Sequence, residues 1–146
     1  MQRDTECIAD FVGGFVAAEG CFTGTGDRRF RFSLGLGAID SGMCELVHDF
    51  LGVGSIVHSP RRKPHYDDEV QFVVQATRDL AEVVVPFMDV HLLPSYKREQ
   101  YLEWRGRLLD FWEHRYHRWP CRMDGCREPA LAFGLCRGHL RQIREP

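Results

Sequence analysis

The sequence predicts an α+β core with one antiparallel sheet and helices on one of its faces, followed by a small metal-binding segment. A helical pattern at the start, two pairs of alternating strands and a terminal Cys/His cluster carry this prediction. With 146 residues and 44% apolar side chains, the chain can form one packed domain with a short appendage. We therefore expect a core over residues 1–118 and a separate segment over residues 119–146.

Composition argues against the membrane and secreted classes. No apolar run approaches the ~18 residues of a membrane-spanning helix, and the start lacks the basic-then-apolar pattern of a signal peptide. An intracellular protein, in the cytoplasm or on the nucleoid, with no membrane partner is expected. The net charge of −2 argues mildly against nucleic acid, but residues 97–146 carry 11 Lys+Arg against 7 Asp+Glu.

The first predicted helix begins near Asp4 or Thr5, either of which can cap it, and ends at Glu19, where Gly20 suits a left-handed cap. Its apolar residues recur at helical spacing: Ile8, Phe11, Val12 and Phe15. Its small residues form two stripes: Ala9, Gly13 and Ala17, and beside them Gly14 and Ala18. Glycines inside a helix are destabilising by roughly 1 kcal/mol each, so the stripes predict close approach of another backbone.

The remaining elements follow from alternation, caps and breakers. They are strands over 21–25 and 29–37, a helix over 42–51, strands over 55–59 and 69–76, a helix from Arg78 that ends before Pro86, and a long helix starting at Pro94. One face of the sheet is apolar. The other carries polar side chains, among them Arg29, Arg31, Ser33, Gln71 and Gln75. Three cations, Arg61, Arg62 and Lys63, occupy a hairpin tip, where a solvated loop is the alternative to phosphate contact.

The six cysteines fall into two groups. Cys7, Cys21 and Cys44 stand among apolar neighbours and are expected to be buried thiols. The second group has the spacing Cys-x4-Cys-x9-Cys-x2-His and consists of Cys121, Cys126, Cys136 and His139. Thiolates and imidazole in a closed set of four predict a structural Zn²⁺ site. Reduced cysteines in a loose tail remain the alternative, and His117 is a possible competing ligand.

Three segments, in order, resemble the LAGLIDADG homing endonucleases: Val12–Gly20 (VGGFVAAEG), Phe50–Ile56 (FLGVGSI) and Leu92–Gln100 (LLPSYKREQ). The resemblance extends over roughly residues 5–115 and implies an αββαββα(α) fold with a saddle-shaped sheet. Ala17 stands where many members carry an acid, and Gly37 and Ala38 stand where the family often places a Gln. The last segment of the chain resembles the Cys-Cys-Cys-His zinc knuckles that accompany phage and mobile-element nucleases.

The resemblance implies a homodimeric endonuclease that makes a staggered cut in double-stranded DNA at a long pseudo-palindromic site. It implies Mg²⁺ held by Glu19 and the Ala18 carbonyl, with Lys97 as a second catalytic residue. The two copies of the first helix would meet through the small residues Ala9, Gly13, Gly14 and Ala17.

The polar sheet face would then read DNA bases, and the basic loop would hold phosphates. Other functions stay open at this point: a non-cleaving DNA-binding regulator, an intron RNA maturase, or a zinc-dependent interaction module.

Overall fold

A computed structural model describes residues 2–116 and 119–144 and confirms the α+β prediction. The elements, in chain order, are α1 Gln2–Glu19, β1 Gly20–Thr25, β2 Arg29–Gly37, α2 Ser41–Leu51, β3 Ser55–Ser59, β4 Glu69–Val74, α3 Thr77–Asp79, α4 Val85–His91, α5 Tyr96–Phe111 and α6 Arg137–Arg144. A 3₁₀ turn, Ala38–Asp40, precedes α2, and π-helical turns at Leu80–Val84 and Trp112–Tyr116 follow α3 and α5.

The chain divides into two compact units, Met1–Leu108 and Leu109–Pro146. The C-terminal unit contains the last residues of α5 as well as the segment predicted over 119–146.

The sheet of the first unit has the strand order β1-β2-β4-β3, and every neighbouring pair is antiparallel. Because side chains alternate along a strand, the register places one aromatic set on a single face. Phe22 pairs with Phe32, which pairs with Val74, and Leu34 pairs with Phe72. Helices α1 and α2 pack on the sheet, so this face forms the core. The opposite face carries the predicted polar residues that lie within the strands, Arg29, Arg31, Ser33 and Gln71.

An aromatic cluster joins α5 to the core. The ring centroid of Phe22 lies 5.1 Å from those of Phe32 and Tyr101 and 5.0 Å from that of Trp104. Tyr101, Trp104 and Leu108 are buried, as their helical spacing predicts. This packing fixes where α5 begins, which matters for the position of Lys97.

The prediction that a helix ends before Pro86 is wrong, because the helical backbone continues from Thr77 to His91. A π-turn over Leu80–Val84 shifts the hydrogen-bond register just before the proline. Pro86 is then the second residue of α4, directly after the π-turn that accommodates its missing N–H.

Both predicted caps of α1 are also wrong. The helix already begins at Gln2, so Asp4 and Thr5 lie inside its first turn. Gly20 does not adopt a left-handed conformation, and β1 starts directly at this residue. A Cβ on Gly20 would lie 2.6 Å from the Val16 carbonyl oxygen, so glycine is needed for space. The predicted stop at Gly52 is confirmed, with φ of 71°.

Of the three scattered cysteines only Cys44 is buried, whereas Cys7 and Cys21 are exposed. Cys7 lies on the outward side of α1, and Cys21 lies on the polar sheet face opposite Ser33, which explains their exposure. Among the described residues, no helix combines the length and the apolar character needed to cross a membrane.

Candidate nucleic-acid interface and metal centre

Glu19 is the last residue of α1, and the strand that follows without a loop fixes its position. Its side chain is exposed, as is that of Ala18. Among the described residues Glu19 forms no hydrogen bond or ion pair. The C-terminal end of a helix carries partial negative charge, which disfavours a lone carboxylate and favours one that binds a cation. The location therefore suits a metal ligand.

Lys97 lies in the first turn of α5, half-buried. The predicted start at Pro94 is displaced, because Ser95 provides the cap. Its hydroxyl oxygen accepts a hydrogen bond from the Arg98 N–H at 3.2 Å, and its O–H donates to the Leu93 carbonyl at 3.0 Å. Arg98 also donates from its guanidinium group to the Leu92 carbonyl. These bonds hold the backbone around Lys97.

The start of α5 and the second half of α1 are neighbours through the segment between α4 and α5. A Cβ on Gly13 would lie 2.1 Å from the His91 carbonyl oxygen, and a Cβ on Gly14 would lie 3.9 Å from the Leu93 Cδ1 atom. Glu19 and Lys97 thus belong to two helices, of which α1 contacts the segment that leads into α5. No hydrogen bond or ion pair joins these two side chains among the described residues.

Two further anchors keep α5 in place. The indole N–H of Trp104 donates to the Thr23 carbonyl of β1 at 2.9 Å. Arg105 binds Asp89 of α4 with two hydrogen bonds, at 2.8 and 2.9 Å, and the Tyr101 hydroxyl donates to Asp89 at 2.6 Å.

Burial alone would raise the pKa of the Asp89 carboxyl. The hydrogen bonds that it accepts from Arg105 and Tyr101 lower this pKa by a larger amount, so it lies below its usual value. Burial, followed by the neighbouring Asp89, raises the pKa of Tyr101 above its usual value, so its hydroxyl stays a donor. The network is an internal support for α5.

The contacts of α1 separate the four small residues that were predicted to face a second chain. Ala9 and Gly13 are buried, and Gly13 presses on α4 of the same chain. The close backbone approach that Gly13 allows is therefore made with His91 of the same chain, whereas a dimer interface through the four small residues stays a prediction. Gly14 and Ala17 are partly exposed.

The outward side of α1 instead presents larger apolar residues. Ile8 is 38% and Phe11 is 47% exposed, and the Phe11 and Phe15 rings stack with centroids 6.1 Å apart. Residues that follow one another at intervals of four, three and four share one side of a helix. The side of α1 that contains Phe11 therefore also contains Cys7, Gly14 and Ala18. We call this set the outward face of α1.

The polar face of the sheet is organised around Arg31. Its Nη2 atom donates to the Gln71 Oε1 atom at 2.8 Å, diagonally across β2 and β4. Its Nε–H is buried and has no hydrogen-bond partner among the described residues. Arg29 is exposed and Ser33 is partly exposed. Gln75 is also exposed but follows the end of β4, so it is outside the strand register.

Hydrogen bonds from its own backbone N–H groups stabilise the basic loop between β3 and β4. The Arg61 N–H donates to the Asp68 carboxylate at 2.9 Å, and the Tyr66 N–H donates to the Lys63 carbonyl at 3.0 Å. The Lys63 ammonium group lies 5.5 Å from the centre of the Tyr66 ring, a cation–π contact. Arg62 is exposed like its two neighbours. The three cations thus project from a closed loop.

An open depression of about 650 Å³ lies between this loop and the end of β2. Its lining includes two glycines of β2 and the side chains of Tyr66, Asp67, Glu69 and Gln71. The two carboxylates make it a poor place for a phosphate group, because like charges repel. Contacts with phosphates are therefore better served by the three cations than by the depression.

The C-terminal unit brings together the four ligand atoms that the spacing predicts: those of Cys121, Cys126, Cys136 and His139. All four lie within 4.8 Å of one another. The sulfur atoms of Cys126 and Cys136 are 3.9 Å apart, and the Nδ1 atom of His139 is 3.3 Å from the sulfur of Cys121 and 3.2 Å from that of Cys136. A tetrahedral Zn²⁺ with bonds of about 2.3 Å to sulfur has sulfur–sulfur edges of about 3.8 Å. The donor set and its spacing therefore fit zinc.

The surroundings of the cluster favour metal binding. Burial raises the pKa of the Cys121 thiol, but backbone N–H groups of Met123 and Cys136 and the His139 side chain lower it to about 6. The backbone of Glu128 lowers the pKa of Cys126, yet burial and the nearby sulfur atoms leave it above its usual value. A cation bound by both thiolates would stabilise their deprotonated forms and so remove this difference between their pKa values.

The turns around the cluster follow the glycines. Gly125 and Gly134 have positive φ, and α6 carries His139 one turn after Cys136. Leu135 and Leu140 pack beside the ligands. The predicted competitor His117 lies outside the described residues.

Sequence reasoning missed Phe133, which precedes Gly134 in a two-residue turn. Its φ is 53°, which is the left-handed region, and its side chain is 80% exposed. A bulky residue in this conformation is strained by roughly 1–3 kcal/mol. The glycine beside it marked the turn, but only the backbone reveals the strain.

Comparison with known proteins agrees with this geometry. The model of the LAGLIDADG endonuclease family matches residues 12–107. No curated protein matches the chain. Three similar solved structures illustrate the likeness, and in each the chain spans little more than a third of the other protein's length.

The first is the I-LtrWI LAGLIDADG homing endonuclease bound to target DNA, with 17% identity and a TM-score of 0.59 over 73% of this chain and 37% of that one. The second is meganuclease I-SmaMI bound to uncleaveable DNA, with 19% identity and a TM-score of 0.59 over 71% and 37%. The third is I-SmaMI bound to cleaved DNA, with 23% identity and a TM-score of 0.57 over 69% and 35%. At these identities the likeness establishes the fold.

Proposed function

The chain belongs to the LAGLIDADG endonuclease family, and from this membership we propose that it is a site-specific DNA endonuclease acting as a homodimer. Its product is a staggered double-strand cut in a long pseudo-palindromic site. We also propose that it acts inside the cell, in the cytoplasm or on the nucleoid, where such a DNA site would be found.

The observation that carries this proposal is the combination of two exposed features on one helix. Glu19, which ends α1, has no hydrogen bond or ion pair among the described residues, and the outward face of the same helix is apolar and exposed except at the half-buried Gly14. Covering that face with a second copy brings the two Glu19 side chains toward a common axis. Like charges that approach one another repel, and a divalent cation removes the repulsion.

The homodimer follows from the same face. Phe11 and its neighbours would pack against their counterparts across a twofold axis, as an isologous interface requires. Gly14 and Ala18 leave room for the helices to cross closely. This arrangement differs from the interface predicted through Ala9 and Gly13.

Glu19 and the Ala18 carbonyl are the groups that would hold Mg²⁺, a cation that prefers oxygen ligands. When bound, the metal activates water and neutralises charge on the phosphate. Lys97 supplies a positive charge from the first turn of α5. Its role is to orient the attacking water or to stabilise the developing negative charge.

The polar sheet face would enter the major groove, which admits a two-stranded ribbon. Arg29, Arg31, Ser33, Gln71 and Gln75 would contact base edges there. Arg31 is supported best, because the Gln71 side chain fixes the position of its guanidinium group. The loop cations Arg61, Arg62 and Lys63 would hold the backbone phosphates.

The Cys₃His cluster would hold one structural Zn²⁺ through Cys121, Cys126, Cys136 and His139. A closed set of four protein ligands leaves no open position for a substrate. Zinc therefore serves the fold of the C-terminal unit, and catalysis belongs to Glu19.

Cleavage of a plasmid library with random inserts, in Mg²⁺, tests the proposal. We expect linear plasmid from a small set of related inserts, and both cut ends give the stagger. A chelator should prevent the cut. Uncut plasmid under conditions where the protein binds DNA would reject the endonuclease.

That result would favour a second function on the same fold, a non-cleaving DNA-binding regulator or an RNA maturase. The small residues Ala17, Gly37 and Ala38, at positions where the family often carries functional side chains, favour this reading.

A further inference from the structure

A tight hairpin in the C-terminal unit projects one aromatic ring into solvent. The Leu135 N–H donates to the Ala132 carbonyl at 2.9 Å, and the Ala132 N–H donates to the Leu135 carbonyl at 3.3 Å. The two residues between them, Phe133 and Gly134, both have positive φ, 53° and 71°. This is the pattern of a type I′ turn, whose first central position favours Asn, Asp or Gly.

Phenylalanine is therefore unfavourable at this position in two separate ways. Its backbone lies in a region of φ that residues with a Cβ rarely adopt. Its side chain is 80% exposed, so burial of the ring contributes almost no hydrophobic stabilisation. An asparagine would relieve the first disadvantage and remove the second. A strained, exposed and bulky residue at the tip of a turn is a feature of binding sites.

The charges around the turn indicate the partner. Residues 119–144 contain five arginines, Arg122, Arg127, Arg137, Arg141 and Arg144, against Asp124 and Glu128. No ion pair within the described residues engages any of these arginines. Arg122 is adjacent to the turn, because a Cβ on Gly134 would lie 3.3 Å from its Cδ atom, and its N–H donates to the Gly134 carbonyl at 2.8 Å. Free cations beside an exposed ring fit a polyanion with stacked aromatic groups, which is nucleic acid.

We propose that Phe133 is an aromatic wedge that the C-terminal unit presses against a base step of duplex DNA, while Arg122 and the other arginines hold the flanking phosphates. Proteins that insert apolar side chains between base pairs partly unstack the step and bend the duplex. A single ring on a rigid two-residue turn suits insertion at one step. Binding of single strands uses successive aromatic platforms instead. This inference rests on the proposed function, because it takes duplex DNA as the partner.

Three variants of the full chain test the ring separately from the turn. Phe133→Asn suits the left-handed backbone, Phe133→Leu keeps an apolar side chain without a ring, and Phe133→Trp keeps a stacking ring. We expect all three to retain zinc, and Phe133→Asn to melt no lower than the wild type. The probe is a random-sequence duplex with 2-aminopurine in place of adenine.

The affinity of Phe133→Asn and Phe133→Leu for this duplex should fall roughly fivefold or more, the effect of one lost stacking contact. Phe133→Trp should bind like the wild type. The wild type and Phe133→Trp should raise the 2-aminopurine fluorescence, because unstacked 2-aminopurine is brighter, whereas the other two variants should not.

Equal affinity of all variants, or no rise in fluorescence with the wild type, would overturn the wedge. So would a loss of stability in Phe133→Asn, which would make the ring structural, or a ring-dependent preference for single-stranded RNA over the duplex. Plasmid cleavage separates the two proposals. If duplex binding depends on the ring but the plasmid is not cleaved, the wedge is supported and the endonuclease is rejected. If the plasmid is cleaved but duplex binding does not depend on the ring, the endonuclease is supported and the wedge is rejected.

Discussion

The carbonyl oxygen of His91 occupies the space that a side chain on Gly13 would need, at 2.1 Å from the position of a Cβ. The glycine in α1 thus permits α4 to pack on it, and α4 leads into the segment that positions α5.

We expect Gly13→Ala to destabilise the protein, because the clash is with backbone and cannot be relieved by a side-chain rotation. Overpacking of this kind is destabilising by about 1–3 kcal/mol, and the melting temperature should fall by about 2–4 °C for each kcal/mol. Thermal unfolding of the full chain measures this. Gly106→Ala is the matched control, since nothing lies within 4 Å of its Cβ position in α5, and it should stabilise by about 1 kcal/mol. Equal melting of both variants would mean that α1 and α4 are not packed as described.

Glu19→Gln should abolish cleavage by removing the charge that binds the metal, while its unchanged shape leaves DNA binding nearly intact. Cleavage and binding of the same selected duplex provide the two measurements. Glu6→Gln, an exposed acid on the same helix, should cut like the wild type. Normal cleavage by Glu19→Gln would place the metal elsewhere.

The outward face of α1 predicts that Phe11→Glu yields a monomer. Each dimer would lose two buried Phe side chains, about 3 kcal/mol or more, and gain two facing carboxylates, so its dissociation constant should rise at least roughly 100-fold. Sedimentation gives the oligomeric state. Leu102→Glu is the control, because Leu102 is 51% exposed on α5, and this variant should remain a dimer. A wild-type protein that is monomeric with and without DNA would rule out the shared active centre.

The sequence predicted the parts of the fold that depend on local patterns. Strand β2 has the predicted bounds because strict alternation defines it, and β3 has them because Gly54 and Pro60 flank it. The Cys₃His cluster was also predictable from the sequence, because its four ligands lie within 19 residues of one another.

What failed depends on long-range contacts. Whether Gly13 or Gly14 faces solvent is decided by where α4 lies, and the pattern of small residues is the same in either case. The helix through Pro86 persists because of a π-turn that no residue type announces. The strain at Phe133 has a local cause, the turn closed by the bridge between Ala132 and Leu135, but the residue types alone do not predict that turn's positive φ at Phe133.

The sheet and its loop predict two different kinds of binding defect. Arg31→Ala removes a base contact and also frees Gln71, so it should relax the preference at one position per half-site, where a good contact discriminates by about 1–3 kcal/mol. Lys63→Ala should weaken binding to all sequences alike. It should also reduce the slope of the logarithm of the binding constant against the logarithm of salt concentration by about one for each bound subunit. Lys63→Arg keeps the charge and should bind normally. Binding assays over a site library and a salt series distinguish the two effects, and the reverse pattern would exchange the roles of strand and loop.

The C-terminal unit should contain one Zn²⁺ per chain and lose it in Cys126→Ser. Cys126 is a partly exposed member of the cluster, so replacing it removes a ligand without opening the small core of Cys121, Leu135 and Cys136. That core is too small to fold alone, whereas zinc binding in comparable sites supplies about 10 kcal/mol or more.

Metal loss should therefore disorder residues 119–144 and weaken DNA binding, while the core still cuts at high protein concentration. Elemental analysis and thiol reactivity measure the metal and its ligands, and Cys7→Ser, which changes an exposed thiol outside the cluster, should keep its zinc. Purified wild-type protein with far less than one equivalent of zinc and freely reacting thiols would remove the metal from the fold. A DNA footprint that is unchanged after deletion of residues 120–146 would leave the metal in place and confine its role to the unit that it folds.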